Sequence, residues 1–179
     1  MAIAKRKKKF FDVEMPLINK ETQLLAFEPK ELDNKLITYD LTRILRGKNM
    51  ILQMTVKLND SKLIAIPRQI KLMSCYLKRM VRKGTNYIED SFSTECKDAQ
   101  VKIKPFLITR RKVTREVRKA LRNKAKEELI NYAKDKNSEE IFDDILNNKL
   151  QKQLSLKLKK IYPLSLCEIR TLKVEKFRE

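Results

Sequence analysis

The sequence lacks histidine altogether, contains only two glycines and has no long apolar run among its 179 residues. Without imidazole it cannot form a Ser-His-Asp or Cys-His catalytic pair, or bind metal through histidine. Two glycines cannot supply a glycine-rich phosphate loop. No run of about 18 apolar residues is present to span a membrane. These absences predict a protein that is not an enzyme and has no catalytic residue, metal site or cofactor.

Cysteine is also scarce, since the only three are Cys75, Cys96 and Cys167 and no two form a CxxC pair. Such spacing argues against a zinc site or a thioredoxin-like motif. An odd number of widely separated thiols is typical of a reduced intracellular protein. We therefore expect a cytoplasmic chain whose cysteines are free thiols.

Positive charge is what the sequence has in excess, with 42 Lys and Arg against 23 Asp and Glu and a net charge of +19. Residues 1–9 and 71–83 carry +5 each and residues 110–126 carry +8, whereas the other 140 residues sum to +1. Such clustering favours a polyanion, because each cation placed on a phosphate releases a condensed counterion. Nucleic acid is the partner we favour. An anionic membrane or an acidic protein would use the same charges, but no lipidation motif is present.

The periodicity of apolar residues predicts strands first and helices later. Strands are predicted over 21–27, 35–41, 51–58, 63–70, 86–94, 100–109 and 165–175. The strands 86–94 and 100–109 are predicted to pair as a hairpin. Helices are predicted over 74–83, 112–134 and from Asn137 to Pro163, with Ser74 and Gly84 as the caps of the first and an Asn137–Glu140 capping box on the last. Pro67 is expected to place the end of its strand at an edge or a bulge. A phase shift between Ile169 and Leu172 predicts a bulge.

This order of elements indicates an α+β protein, a small, mostly antiparallel β-barrel or curled sheet flanked by helices. We expect a flexible basic tail over residues 1–9, which an aromatic pair after it would pin to the body. A single α+β domain would follow over residues 10–179. It would be strand-rich over 10–109, helical over 112–162 and closed by the strand 165–175.

The strongest functional signal is a row of arginines on the predicted helix 112–134. At 100° per residue the row falls within about 60° of arc, and it consists of Arg111, Arg115, Arg118 and Arg122. The opposite side would be Val113, Val117, Ala120 and Leu121. A guanidinium fork can donate two bonds to one phosphate. The alternative, a solvated face neutralised by acids one turn away, has only Glu116 within the basic stretch to support it.

The candidate RNA-binding residues are basic members of the three charged segments. They are Lys5, Arg6, Lys7, Lys8, Lys9, Lys78, Arg79, Arg82, Lys83, Arg110, Arg111, Lys112, Arg115, Arg118, Lys119 and Arg122. Three aromatic residues, Phe10, Phe11 and Tyr76, would either stack on bases or pack in the core.

Acidic pairs offer a different hypothesis, a metal-dependent nuclease. Glu139-Glu140 and Asp143-Asp144 lie four residues apart on the predicted last helix, where two carboxylates could hold Mg²⁺. They also occupy the first turns of that helix, where acids are favoured by the macrodipole. We therefore prefer to interpret them as a solvated face.

Several short motifs follow one another in a recognisable order. They are Lys9-Phe10-Phe11-Asp12-Val13 with Pro16, Tyr39-Asp40-Leu41-Thr42, Tyr76 to Thr85 with Ile88, Thr94 with Lys97-Asp98, and Ile161-Tyr162-Pro163-Leu164 with Glu168-Ile169-Arg170 and Lys173. Over about residues 9–177 they resemble the S3Ae (eS1) family of archaeal and eukaryotic small-subunit ribosomal proteins. Ala99 stands where the family usually has glycine, and residues 43–70 match poorly. The long tails of eukaryotic members have no counterpart, so the resemblance is to an archaeal version.

The resemblance implies a β-barrel core flanked by helices and a structural role in the cytoplasmic ribosome. It places the protein on the platform of the small subunit, near the mRNA exit. The implied partners are small-subunit rRNA, neighbouring small-subunit proteins and mRNA near the exit, with no membrane and no homo-oligomer. A non-ribosomal RNA-binding regulator is the alternative.

Overall fold

The computed structural model describes residues 7–59 and 62–177, which fall into two compact units. The first unit contains the described residues up to Tyr39 and those of the segment Leu52–Arg68. The second contains Asp40–Ile51 and the described residues from Gln69 onward. The single domain over residues 10–179 stays a prediction.

The described residues form nine strands and four helices, besides two short 3-10 turns. The strands are β1 (Lys9–Met15), β2 (Lys20–Ala26), β3 (Leu36–Asp40), β4 (Met50–Asn59), β5 (Lys62–Leu72), β6 (Tyr87–Glu89), β7 (Phe92–Glu95), β8 (Ala99–Thr109) and β9 (Leu164–Phe177). The helices are α1 (Ser74–Met80), α2 (Arg115–Lys134), α3 (Ser138–Leu146) and α4 (Lys149–Leu158). The α+β class is confirmed. In the described part of the chain the mixed sheet is open and not closed into a barrel.

In the first unit, the segment that follows the basic tail is a strand that the sequence patterns did not predict. This strand, β1, pairs antiparallel with β2 along its whole length and parallel with β5 at Val13. Val13 and Met15 are buried, whereas Asp12 and Glu14 are exposed, which is the alternation of a half-buried strand. Because β1 begins at Lys9, the last residue of the predicted tail belongs to the sheet.

Strand β5 runs through Pro67 and continues to Leu72. Proline has no N–H to donate to a neighbouring strand. Pro67 lies between the β5 residues that pair with β1 and those that pair with β9. Its missing donor therefore interrupts neither of these pairings.

In the second unit, β8 pairs antiparallel with β6 and β7 and also with β9. The single strand predicted over 86–94 is divided into β6 and β7 because Asp90 bonds through its carboxylate to Ser91 N, at 2.9 Å, and the ladder stops there. The pairing of β8 with β9 shifts register at three places. One shift leaves Arg170 without an opposite residue, which confirms the predicted bulge and bends this strand pair.

The four helices belong to the second unit, and each of the three predicted helices differs in extent from what the structure shows. α1 ends at Met80 rather than residue 83, because Val81 takes an extended conformation. Ser74 is its first residue rather than its N-cap. Gly84, with a φ of +82°, therefore lies in the next turn and not at the helix end. α2 begins at Arg115, three residues later than predicted, and packs on β6, β7 and α4.

The predicted helix from Asn137 to Pro163 is two helices. The capping box at its start is confirmed, with the Glu140 carboxylate accepting a bond from Asn137 N at 3.4 Å. The chain then breaks at Asn148, which has a φ of +57° in the left-handed region that a helix cannot contain. α4 ends at Leu158, before the proline. Across the described residues, none of the helices has both the length and the apolar character needed to cross a membrane.

Candidate nucleic-acid interface

Two of the three basic segments meet at a hydrogen-bonded junction, which we call the Asn86–Thr109 clamp. Thr109 is fully buried, and its Oγ1 accepts a bond from Asn86 N at 3.0 Å. The same hydroxyl lies 3.0 Å from Asn86 O and 2.8 Å from Arg111 O, either of which can accept its proton. The Asn86 side chain in turn accepts a bond from Val113 N at 2.9 Å. The clamp therefore holds the link between β8 and α2 against the segment that follows α1.

The predicted residues on both sides of this clamp are exposed, with one exception. On α1 and the turn after it they are Lys78, Arg79, Arg82 and Lys83. On the link and the first turns of α2 they are Arg110, Arg111, Lys112, Arg115, Lys119 and Arg122. We call these side chains the clamped basic surface. The clamp thus connects the residue stretch that follows the first segment to the start of the second, although three strands separate the two segments in the sequence.

The exception is Arg118, and the predicted arginine row changes with it. Arg118 is half-buried, and its Nε is enclosed with no hydrogen-bond partner among the described residues. It precedes the buried Leu121 by three residues, and positions three apart are neighbours on a helix surface. Arg111 lies before the helix begins, and Ala120, expected on the buried side, is exposed. The row on α2 is therefore Arg115, Lys119 and Arg122.

The clamped basic surface is not neutralised by acidic side chains. In the parts of the chain that the structure describes, none of its cations forms an ion pair within 4.0 Å. Arg79 is held by neutral groups instead, since it donates to Asn49 Oδ1 at 3.1 Å and lies 5.5 Å from the centre of the Tyr76 ring. The positive charge of this surface is left available to an external anion.

Farther along α2, Lys124 is paired with acidic side chains, whereas Lys126 is exposed and lies over the Phe92 ring. Lys124 contacts Glu127 at 3.0 Å, and Lys157 of α4 contacts Glu128 at 2.5 Å. The hydrogen bond from Lys157 is the main cause that holds the pKa of Glu128 below its usual value. These paired residues match the solvated face that was the alternative interpretation of the whole helix.

The N-terminal candidates belong to the first unit and are a separate feature. Lys5 and Arg6 lie outside the described residues, and Lys7, Lys8 and Lys9 are exposed. The Lys8 ammonium lies 5.4 Å from the centre of the Phe27 ring, within the range of a cation–π contact. Among the aromatic candidates, Phe10 is 70% exposed, whereas Phe11 and Tyr76 are half-buried.

One of the acidic residues proposed for a nuclease, Asp144, has structural partners and is not part of the solvated face that we expected. Asp144 is buried and accepts a bond from the Tyr132 hydroxyl at 2.7 Å and another from Lys136. Burial alone would raise the pKa of Asp144, but these two bonds outweigh it and hold the pKa below its usual value. Burial raises the pKa of the neighbouring Asp143, and the charge of Asp144 adds to that effect. Within residues 7–59 and 62–177 no group of three metal-binding side chains comes together.

The sequence patterns did not identify the residues that shape the interface. Asn86, Tyr87 and Thr109 were predicted only as parts of strands. The signal that could have pointed to them is their position, since Asn86 and Thr109 stand at the facing ends of the two strands predicted to pair, each next to a basic run.

The turn before β8 is a separate point, because Ala99 replaces a glycine of the family pattern. Ala99 is buried as the first residue of β8 and is not among the described residues with positive φ, so alanine fits there.

Known proteins with similar sequences are ribosomal proteins of archaea. The chain is 27% identical over 179 residues to the small ribosomal subunit protein eS1 of Nanoarchaeum equitans, with 95% of this chain and 90% of the relative covered. It is 29% identical over 159 residues to the eS1 protein of Halorubrum lacusprofundi, with coverages of 86% and 74%. It is 33% identical over 95 residues to the eS1 protein of Methanothermobacter thermautotrophicus, with coverages of 52% and 49%.

The match to a family model covers almost all of the sequence. It extends over residues 4–177 and includes every motif on which the resemblance was based. Both basic segments that meet at the clamp lie within it, as does the whole of the described sheet. The chain therefore belongs to the Ribosomal S3Ae family.

Proposed function

We propose that this protein is a structural constituent of the small ribosomal subunit, in the cytoplasm, and that it binds small-subunit rRNA through the clamped basic surface. Membership of the Ribosomal S3Ae family and the archaeal eS1 relatives support the ribosomal role. This role is non-enzymatic, in agreement with a sequence that has no histidine.

The observation that carries the RNA-binding part of the proposal is the Asn86–Thr109 clamp between two unneutralised basic segments. A backbone junction with a buried hydroxyl at its centre fixes the direction in which each segment leaves the sheet. Cations on a fixed framework lose less conformational entropy when they bind than cations on a flexible tail. The surface contacts phosphates and positions the protein, because Lys and Arg on a backbone carry no sequence information by themselves.

The position of the protein within the small subunit is also a proposal, and it follows from the family resemblance. We propose that the protein lies on the platform near the mRNA exit, where mRNA passes close to it. Neighbouring small-subunit proteins would contact its less basic surfaces, such as the first unit, where Leu25, Leu36 and Phe10 are exposed. The Lys5–Lys9 tail would add phosphate contacts on rRNA.

Sucrose-gradient sedimentation tests the ribosomal role directly. We expect the tagged full-length chain, expressed in an archaeal host, to co-migrate with small subunits and to remain there after a wash at high salt. Recovery of the chain at the top of the gradient, bound to other RNA, would contradict this role and favour a non-ribosomal RNA-binding regulator. Recovery there without any RNA would contradict both.

A further inference from the structure

An open groove of about 490 Å³ lies beside the clamp in the second unit, and the proposed phosphate contacts leave its apolar part unused. Its apolar lining comes from Leu77 and Val81 at the end of α1, Tyr87 on β6 and Phe106 on β8. Ligand sites commonly enclose about 300–1,000 Å³ and combine apolar walls with a few polar groups. The groove has the size and lining of such a site.

Tyr87 is the exposed aromatic residue of this groove, and its position is fixed. Its ring stacks on the buried Phe106 ring with the centres 6.1 Å apart and the planes 20° apart. The Tyr87 backbone pairs with Ile108, and the preceding residue, Asn86, belongs to the clamp. Tyr87 nevertheless remains 57% exposed. One ring face is supported from within while much of the side chain is open to a ligand, as in a rigid stacking platform.

The polar wall of the groove contains both donors and acceptors. Arg170, which the β9 bulge leaves without an opposite residue on β8, lines this wall. One nitrogen of its guanidinium donates to both carboxylate oxygens of Glu89 at 3.0 Å. Lys78 of α1 lies on the wall as well and is a member of the clamped basic surface. The groove thus borders the cations proposed to bind phosphate.

We propose that this groove binds one base of single-stranded RNA, which stacks on Tyr87 instead of on its neighbouring bases. The phosphates of that nucleotide and its neighbours would lie on Lys78 and on the basic turn after α1. This inference rests on the proposed RNA-binding function. Single-stranded bases are recognised by stacking on aromatic rings and by bonds to their edges. Charge favours this ligand over an apolar side chain of a protein, because the groove opens next to unpaired cations and its own wall carries charged groups.

The absence of tryptophan from the sequence makes a direct test possible. In a full-length Tyr87→Trp variant, the only tryptophan reports on the groove. Leu156→Trp is the matched control, since Leu156 is 68% exposed on α4 and does not line the groove. Each variant is titrated with a short fluorescein-labelled single-stranded RNA and with an abasic oligomer of equal length. Anisotropy of the label measures binding, and tryptophan emission measures stacking.

We expect the RNA to quench the emission of Tyr87→Trp, the abasic oligomer to bind without quenching, and the control to keep its emission in both titrations. Binding without quenching of Tyr87→Trp by the RNA would overturn the proposal and leave the phosphate surface intact, as would equal quenching by the abasic oligomer. If neither oligomer binds, the proposed RNA-binding function fails, and the groove proposal fails with it.

A second pair of variants separates stacking from the phenol hydroxyl. Removing a stacking ring by alanine substitution weakens single-strand binding by about 5- to 150-fold. We expect Tyr87→Ala to lose affinity for the RNA within this range and Tyr87→Phe to keep it, with thermal unfolding confirming that both are folded. Equal affinities of Tyr87→Ala and the unsubstituted chain would overturn the proposal.

Discussion

The Thr109 side chain is fully buried at the end of β8, where one hydroxyl serves the backbone on both sides of the clamp. Replacing this residue by valine keeps its volume but removes the hydroxyl. The Asn86 N–H, which donates to this hydroxyl, would then have no acceptor in a partly buried position. A donor left unsatisfied in this way costs about 1–3 kcal/mol.

We therefore expect Thr109→Val to lower the free energy of unfolding by about 1–3 kcal/mol in a urea titration and to weaken binding to rRNA. Thr38→Val is the control, because Thr38 is exposed on β3 and its side chain makes no hydrogen bond to the described residues. Equal stability of the two variants would show that the hydroxyl does not hold the clamp.

At the scale of single elements, α2 shows why the basic row is short. Its buried side consists of Leu121, Ala125, Leu129 and Ala133. Residues four apart advance by about 40° around a helix, so this stripe winds around α2 as the helix proceeds. By Ala133 the stripe has reached the direction that Arg115 occupies at the start. Basic residues therefore keep the direction of Arg115 only as far as Lys126, which is exposed and lies within about 20° of that direction.

The contact between α2 and α3 adds a pH-dependent contribution to stability through Asp144. Its pKa is lower in the folded protein than the usual value of about 3.9. The charged carboxylate therefore stabilises the fold above that pH, and the contribution is lost as the pH falls through the folded pKa.

We expect Asp144→Asn to reduce the free energy of unfolding by about 1–2 kcal/mol at pH 7, a value lowered for the partial exposure of Lys136. The difference from the unsubstituted chain should shrink below about pH 4. Asp143→Asn serves as the control, since this neighbour makes neither bond and its raised pKa means that removing its charge should not destabilise the fold at pH 7. A difference that stays constant from pH 7 to pH 3 would contradict the ionic role of Asp144.

Local signals in the sequence predicted some elements well and others poorly. The capping box of α3 and the bulge at Arg170 depend on residues close in sequence, and both were predicted. The end of α1 at Met80 depends on Val81, which is half-buried by tertiary packing that no local pattern records. The break at Asn148 was missed because leucines continue at helical spacing across it.

At the scale of the molecule, the order of elements was enough to predict the α+β class, whereas the strand pairing was not. The parallel pairing of β1 with β5 joins Val13 to Leu63, and nothing near either residue signals the other. The same holds for the site. Charge clustering located two basic segments, but only folding brings Asn86 to Thr109 and so joins them into one surface.

Segregated charge also predicts how the whole molecule responds to salt. Each phosphate contact adds about 0.9 to the negative log–log slope of duplex binding against salt concentration, and less for a single strand. Reversing charges within the clamped basic surface should therefore change the salt dependence of RNA binding more than the same reversal elsewhere on the protein. The exposed residues Lys152, on α4, and Lys159 and Lys160, just after it, provide that second location.

The most direct test of the proposed function is the affinity for purified small-subunit rRNA of two triple variants, measured by filter binding over a series of salt concentrations. One replaces Arg115, Lys119 and Arg122 by Glu, leaving the half-buried Arg118 in place. The other replaces Lys152, Lys159 and Lys160 by Glu and changes the net charge equally. We predict that the first variant loses affinity and about three from its salt slope, while the second keeps nearly all of both. Equal losses in the two variants, or none in the first, would contradict binding through the clamped basic surface.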